Sequence, residues 1–191
     1  REVIHALSQK HKDIISSVYH KQNSGKGAAL RTAIEQMSGD VCIIQDADLE
    51  YNPTDYPLVL EPIISGRADC VYGSRFVGAQ SKRVLFFWHS VGNKFITMLS
   101  NMFTNLSFTD IETCYKAFRC ELLKSIPIRS QGFGFEAEIT AKIAKRKCRI
   151  YEVGISYNGR TYAEGKKITW VDGLKALFLI LKYGIMNDSA K

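Results

Sequence analysis

The sequence predicts an α/β protein in which a mostly parallel sheet is flanked by helices, and three observations predict it. Residues 41–44, Val-Cys-Ile-Ile, and residues 69–72, Asp-Cys-Val-Tyr, are apolar runs of strand length. Such runs mark strands covered on both faces, as in parallel sheets. Segments with apolar residues at helical spacing precede and separate them, giving the strand–helix–strand order of crossover connections.

Each element has its own signal. Val3, Ile4 and Leu7 have helical spacing, and residues 14–19 read as a short strand. Gly25-Lys26-Gly27 opens a helix carrying Ala28, Leu30, Ala33, Ile34 and Met37, which Gly39 ends. After the 41–44 strand, Pro53 and Pro57 mark a turn and a helix start, and that helix continues to Gly66. Beyond the 69–72 strand, Trp88, Val91, Phe95, Met98, Leu99, Met102 and Leu106 form a long amphipathic stripe, with His89, Asn93, Lys94, Thr97 and Asn101 between them. Phe135, Ile139 and Ile143 mark another helix, residues 149–157 are strand-like, and residues 170–186 form a last, strongly apolar helix. A parallel α/β unit ordinarily opens on a strand, and this chain opens on a helix, so one or two further strands are expected before Arg1.

The chain has 191 residues, 46% of them hydrophobic and 24% charged, which excludes a disordered chain, a collagen-like repeat and a coiled coil. One domain with a sizeable core fits that length. No apolar stretch reaches the roughly 18 residues of a membrane span. The longest candidate, 176–181, is bracketed by Lys175 and Lys182, and no signal-peptide pattern opens the chain. The five cysteines are odd in number and include no Cys-x-x-Cys pair, so they read as reduced thiols of a cytoplasmic protein. The net charge is +7, unevenly placed. Residues 70–109 contain no Asp or Glu, only Arg75, Lys82, Arg83 and Lys94, which suits the approach of something anionic. The run Lys142, Lys145, Arg146, Lys147 and Arg149 reads as a solvated helix face. Basic residues are not interleaved with aromatics in any nucleic-acid module, so no nucleic-acid partner is expected.

Chemistry concentrates at Gln45-Asp46-Ala47-Asp48, directly after a predicted buried strand. Ligands of open α/β sheets bind beyond the carboxyl ends of strands. Two carboxylates at i and i+2 there suit a divalent cation that takes its other ligands from phosphates and water. Asn23-Ser24-Gly25-Lys26-Gly27 precedes a helix N-terminus, where backbone N–H groups can hold an anion, although a plain turn into a helix reads equally well. It is not a Walker A loop, because Gly27 stands where Ser or Thr is needed, nor the dinucleotide fingerprint, because Leu30 replaces its last small residue. Gly73-Ser74-Arg75 follows the next strand. Tyr157-Asn158-Gly159-Arg160 with Glu164-Gly165-Lys166-Lys167 is either a basic loop able to close over phosphates or a solvated hairpin.

In this order the segments resemble the family 2 glycosyltransferases of the nucleotide-diphospho-sugar (type A) fold, and among them the dolichyl-phosphate and polyprenyl-phosphate sugar synthases. The carrying segments are Asn-Ser-Gly-Lys-Gly-Ala-Ala-Leu-Arg at 23–31, Gln-Asp-Ala-Asp-Leu-Glu-Tyr at 45–51, Tyr-Gly-Ser-Arg-Phe at 72–76, Thr-Asp-Ile-Glu-Thr-Cys-Tyr-Lys at 109–116, Gly-Phe-Glu-Ala-Glu at 134–138, and the 157–167 loop. The resemblance implies a Rossmann-like sheet and one glycosyltransferase domain over 1–191. Residues 1–80 would be its donor and metal part, 81–169 its acceptor side and 170–191 an apolar helix and tail.

The resemblance also implies residue roles. Asp46 and Asp48, with Ala47 between, match the motif for metal and donor diphosphate. Gly25, Lys26 and Gly27 match the region beside the nucleotide. Arg75 and Arg160 match phosphate-contacting positions, with Lys166 and Lys167 on the same closing loop. Asp110 and Glu112 match the acidic position near the acceptor and are the catalytic candidates. The implied reaction is an inverting, Mg²⁺- or Mn²⁺-dependent transfer from a UDP- or GDP-sugar to a polyprenyl or dolichyl phosphate, by an enzyme peripherally associated with the cytosolic face of a membrane. The alternatives are a glycan or protein acceptor, or a non-catalytic nucleotide-binding module. A lipid phosphate is already ionised near neutral pH and needs no strong base, whereas a hydroxyl acceptor would need Asp110 or Glu112. The sequence departs from the family at its start, where the acidic nucleotide-binding strand is expected before Arg1, and at Gly154, where proline is frequent.

Overall fold

The computed structural model describes residues 1–78, 80–84, 86–132, 134–166 and 170–185. Lys167 and Met186, named above, lie outside the described residues. Helices α1 (Glu2–Lys10) and α2 (Lys26–Gln36) precede strand β1 (Val41–Ile44). A 3₁₀ turn (Pro53–Asp55) leads into α3 (Tyr56–Ile64), followed by β2 (Cys70–Ser74) and the long α4 (Phe87–Thr104). Then come β3 (Lys116–Arg119), α5 (Cys120–Lys124), α6 (Phe135–Lys145), β4 (Ile150–Gly154) and α7 (Trp170–Ile185). The boundaries carry the expected chemistry. The Asn52 side chain accepts from the Thr54 N–H at 3.1 Å, and Pro57 sits in the first turn of α3. Gly66, at φ 76°, closes the end of α3 with its N–H on the Ile63 carbonyl.

The four strands lie in the order β1-β3-β2-β4. β2 and β4 pair in parallel, with Cys70 opposite Ile150 and Gly73 opposite Val153. β3 runs against both of its neighbours, with Phe118 opposite Cys42 on one side and Cys70 on the other. β1, β2 and β4 therefore point one way and β3 the other, a mixed α/β sheet flanked by helices. Two expectations need correction. β1 is only half-buried along most of its length, not covered on both faces as in a parallel sheet, and among the described residues it pairs on one side alone, with the antiparallel β3. Residues 14–19 form no strand: Ile14 is 85% exposed, and this segment finds no ladder partner among the described residues.

The central β3 escaped the sequence reading because it opens on a lysine. Lys116 is fully buried, with its ammonium on the Thr113 carbonyl and 4.8 Å from the Tyr72 ring centre. Lys142 likewise departs from the predicted solvated face: it is buried and pairs with Glu138 at 2.6 Å. Gly154 marks a close approach of backbones, since a Cβ there would overlap the Val77 carbonyl oxygen.

α4, α6 and α7 pack on one another, and α4 is turned opposite to the usual sense of amphipathic packing. Its polar residues point inward: Asn93 donates to Asp110 at 3.1 Å, Thr97 accepts from the Ile111 N–H, and Asn101 exchanges two bonds with the Phe108 backbone. Ile96 and Leu99 pack on the core. The predicted stripe residues Trp88, Val91, Phe95, Met98 and Met102 face outward, Trp88 at 77% exposure. Leu174, Phe178, Leu181 and Ile185 of α7 are exposed as well. No helix among the described residues is long and apolar enough to cross a membrane.

Candidate active site

The exit of β1 carries the two aspartates, and the turn that holds them is strained. Leu49, between Asp48 and Glu50, sits at φ 61° with its side chain in solvent, a conformation a branched residue holds only when its surroundings impose it. Asp48 Oδ1 accepts the Glu50 N–H at 3.2 Å and the Asp46 N–H points at the Cys114 sulfur. Gln45 is fixed by the hydroxyls of Tyr56 and Tyr115, at 3.1 and 2.6 Å. The pair thus projects from a turn clamped to α3 and to the segment just before β3.

Each aspartate faces a cation. Lys26 Nζ lies 2.9 Å from Asp46 Oδ2 and 2.8 Å from Glu136 Oε1, at the first turn of α6. Burial works against the Lys26 ammonium, but Glu136 and Asp46 outweigh it and raise its pKa. Arg160 places Nε 2.9 Å from Glu50 Oε1 and Nη2 3.6 Å from Asp48 Oδ2. Glu50 also accepts the Tyr157 hydroxyl at 2.9 Å and the Arg160 N–H at 3.1 Å, and its carbonyl accepts the Asn158 N–H. Burial opposes ionisation of Glu50, and the Arg160 hydrogen bonds reverse that and lower its pKa. The 157–166 loop is therefore docked on the Asp48 turn. It is also tied to the segment before α4, where Arg83 pairs with Glu164 at 2.7 Å, and to the first turn of α4, where Tyr162 bonds His89 at 3.0 Å. Lys166 lies 5.5 Å from the Phe86 ring centre.

Gly25 and Gly27 serve a close approach. A Cβ on Gly27 would overlap the Ser130 carbonyl oxygen, and one on Gly25 the Gln131 carbonyl oxygen. The Ala28 N–H donates to that same Gln131 carbonyl at 3.1 Å. This seats Lys26, between the two glycines, beside Asp46.

Arg75 and Asp110 form a second unit. Arg75 Nε and Nη2 reach Asp110 Oδ2 and Oδ1 at 2.6 and 2.8 Å, and the Arg75 N–H adds a third bond. Burial opposes the Asp110 carboxylate, but Arg75 overrides it and lowers its pKa. Glu112 differs. Burial, then the nearby Glu136 carboxylate, push its pKa up to about 7. Glu112 Oε1 and Glu136 Oε2 are buried without a hydrogen-bond partner among the described residues. The site thus brings together Gly25, Lys26, Gly27, Asp46, Ala47, Asp48 and Arg160. Arg75 with Asp110 forms its own pair, joined to this group through Tyr157, whose ring centre lies 5.1 Å from the Arg75 guanidinium and whose hydroxyl bonds Glu50, and Lys166 lies over the α4 start. Sequence reading gave Glu50 and Glu136 no role although both lie in the quoted segments. A glutamate two residues past Asp-x-Asp, and one opening a helix behind Gly-Phe, were the available signals.

The donor set fits a divalent cation. Asp46 and Asp48 offer hard, partly exposed oxygens at one turn, and no cluster of three His, Cys, Asp or Glu ligands exists among the described residues. A hard cation held by one or two carboxylates takes the rest of its shell from phosphate and water.

Comparison with known proteins gives a consistent picture. The sequence model of the family described as Glycosyl transferase family 2 matches residues 1–126. The undecaprenyl-phosphate mannosyltransferase of Micrococcus luteus is 28% identical over 95% of this chain and 72% of its own. A UDP-N-acetylglucosamine–dolichyl-phosphate N-acetylglucosaminyltransferase of Methanococcus voltae is 26% identical over 91% of this chain and 72% of its own. Among solved structures, glucosyl-3-phosphoglycerate synthase of Mycobacterium tuberculosis, in complex with Mn²⁺, uridine diphosphate and phosphoglyceric acid, superposes with a TM-score of 0.64 at 18% identity. That match covers 95% of this chain and 60% of the synthase, so the chain spans under two thirds of its length.

Proposed function

The chain belongs to glycosyl transferase family 2, and from that premise we propose that it transfers a sugar from a nucleotide-diphospho-sugar to a polyprenyl or dolichyl phosphate. The observation that carries the reading is the exit of β1, where the partly exposed Asp46 and Asp48 have Lys26 and Arg160 beside them. That arrangement would suit a diphosphate together with a divalent cation. Asp46 and Asp48 would hold Mg²⁺ or Mn²⁺, which when bound supplies charge neutralisation to the departing diphosphate. Lys26 and Arg160 lie where they can add hydrogen bonds to its oxygens, and Lys166 stands on the same loop as Arg160. The acceptor phosphate oxygen forms the new bond to the anomeric carbon, the bond from that carbon to the diphosphate breaks, and nucleoside diphosphate departs.

The acceptor side is supported by the outward face of α4. A cavity of about 660 Å³ lies among Phe76, Lys82, Lys94, Met98 and Met102, all within the acid-free 70–109 stretch. Two ammonium groups beside an aromatic ring and thioether side chains suit a phosphate carried on an isoprenoid chain. The exposed faces of α4 and α7 would lie against a bilayer surface, with Lys94, Lys175 and Lys182 near anionic headgroups. The acceptor chemistry of the Micrococcus and Methanococcus relatives supports the same choice. Asp110 would act as a positioning residue for Arg75, since both of its oxygens are taken, and a lipid phosphate makes no demand for a base there.

The test is transfer of labelled sugar from a panel of UDP- and GDP-sugars to undecaprenyl and dolichyl phosphate in the presence of Mn²⁺. Lipid-linked product that disappears with EDTA and with Asp48→Asn is expected. Product on a glycan or peptide acceptor, with none on lipid phosphate, would replace the acceptor reading.

A further inference from the structure

Lys26 and Arg160 share a design. Each cation is divided between one aspartate of the Asp-x-Asp turn and one further carboxylate: Lys26 between Asp46 and Glu136, Arg160 between Asp48 and Glu50. We propose that these cations are resident counter-ions that make divalent-cation binding conditional on a diphosphate, with Glu136 and Glu50 as the positioning residues that receive them. The inference rests on the metal–diphosphate reading of this turn.

Lys26 and Arg160 each stand on one oxygen, Oδ2, of the two aspartates that would hold a divalent cation. A metal ion that took those oxygens without a diphosphate would cost Lys26 a 2.9 Å ion pair and Arg160 its approach to Asp48. Both positive charges would then remain a few ångströms from the incoming ion, where like charges repel. With a diphosphate present the balance reverses. Phosphate oxygens accept the hydrogen bonds that the aspartates release, and two cations beside them become favourable.

The structure also supplies places for the released cations. Glu136 Oε2 is buried without a partner among the described residues, on the same carboxylate whose Oε1 already holds Lys26. A shift of Lys26 away from Asp46 would satisfy that oxygen, which otherwise costs free energy where it lies. Arg160 is held independently of Asp48, by Glu50 through both its Nε and its backbone N–H. Loss of the Asp48 contact therefore leaves the loop docked and the guanidinium turned toward the turn. By linkage, whatever diphosphate adds to metal affinity, metal adds equally to diphosphate affinity.

The experiment is a Mn²⁺ titration followed by the electron-paramagnetic-resonance signal of free aquo Mn²⁺, without nucleotide and with UDP or GDP. It uses the parent protein, Arg160→Gln, Lys26→Gln and the double variant Lys26→Gln/Glu136→Gln. Arg160 is on a surface loop and its replacement spares the core. The double variant leaves no stranded buried carboxylate and guards against misfolding of the single one. Removal of a cation should tighten binding of Mn²⁺ alone by about tenfold, the size of one lost charge-assisted hydrogen bond. The enhancement by nucleotide should shrink by a similar factor. Unchanged or weaker binding of Mn²⁺ alone in Arg160→Gln and in the double variant overturns this inference while leaving the metal–diphosphate site intact. Parent protein that binds no Mn²⁺ with either nucleotide overturns the underlying reading and this inference together.

Discussion

Arg75 grips Asp110 with two prongs, Nε to Oδ2 at 2.6 Å and Nη2 to Oδ1 at 2.8 Å, and Asn93 takes the remaining approach to Oδ1 at 3.1 Å. This pair joins the end of β2 to the segment before β3, below the acid-free surface. Both residues carried functional expectations from sequence, Arg75 for phosphate and Asp110 for the acceptor. Their geometry makes them a single buried unit, so substitutions at either report first on stability.

Asp110→Asn should therefore unfold early. Arg75 would keep its charge in a buried setting without a carboxylate, and breaking a buried pair from one side costs about 3–5 kcal/mol. Chemical denaturation checks the size. The pH dependence has a definite sign. The folded-state pKa of Asp110 is depressed, so its contribution is present above the unfolded-state carboxylate pKa and is lost as pH falls through the folded-state value. The gap between parent and variant should hold across neutral pH and close in acid. A gap that is absent at pH 7 contradicts the pairing.

Glu112 should behave in the opposite way. Its pKa, raised from 4.5 to about 7, means that the folded state holds a proton the unfolded state has already released. Stability contributed by the protonated form is full below about pH 4.5 and declines until pH 7. The difference between those values corresponds to about 3 kcal/mol. Glu112→Gln keeps the neutral shape at every pH. The variant should gain on the parent from pH 5 to pH 8, read by denaturant midpoints at both. Parallel pH profiles for the two proteins would place the ionised carboxylate in a solvated setting instead.

Much of this was legible in the sequence, for identifiable reasons. Helices α2, α3, α4, α6 and α7 announced themselves by period and punctuation, and β2 by a continuous apolar run. β3 did not, because its first inward side chain is a lysine whose burial depends on Thr113 and Tyr72. The Asp-x-Asp turn stood out by its place after β1. Glu50 and Glu136 did not, because a carboxylate becomes informative only once its cation is known, and Lys26 lies 110 residues before Glu136. The direction of the α4 stripe was equally hidden. Periodicity shows that a helix has two faces, but the hydrogen bonds of Asn93, Thr97 and Asn101 decide which one turns inward.

Gly27→Ala tests the packing beneath Lys26. The added methyl would strike the Ser130 carbonyl oxygen, which is backbone and cannot rotate away. Overpacking of this kind costs about 1–3 kcal/mol. The start of α2 must then move off the 130–132 segment, carrying Lys26 away from Asp46. Lower thermal stability together with weaker nucleotide binding is expected, whereas a variant as stable as the parent would mean the two backbones are not held this close in solution.

Trp88→Glu tests the outward face of α4. Trp88 is 77% exposed at the first turn of the helix, so its replacement removes no core contact, and circular dichroism should be unchanged. On a bilayer surface the indole would be buried in the interfacial region. Burial of a large apolar side chain contributes roughly 1.5–3 kcal/mol, and a carboxylate near anionic headgroups adds repulsion. Cosedimentation with vesicles containing phosphatidylglycerol should fall by at least about tenfold. Phe178→Glu, on the exposed face of the neighbouring α7, should give a similar loss, because one bilayer surface would cover both helices. Raised salt should weaken the parent protein further, since Lys94, Lys175 and Lys182 act through screened electrostatics. Vesicle binding retained by both folded variants would assign this apolar face to a protein partner, and the acceptor would then have to reach the Lys82–Lys94 cavity by another route.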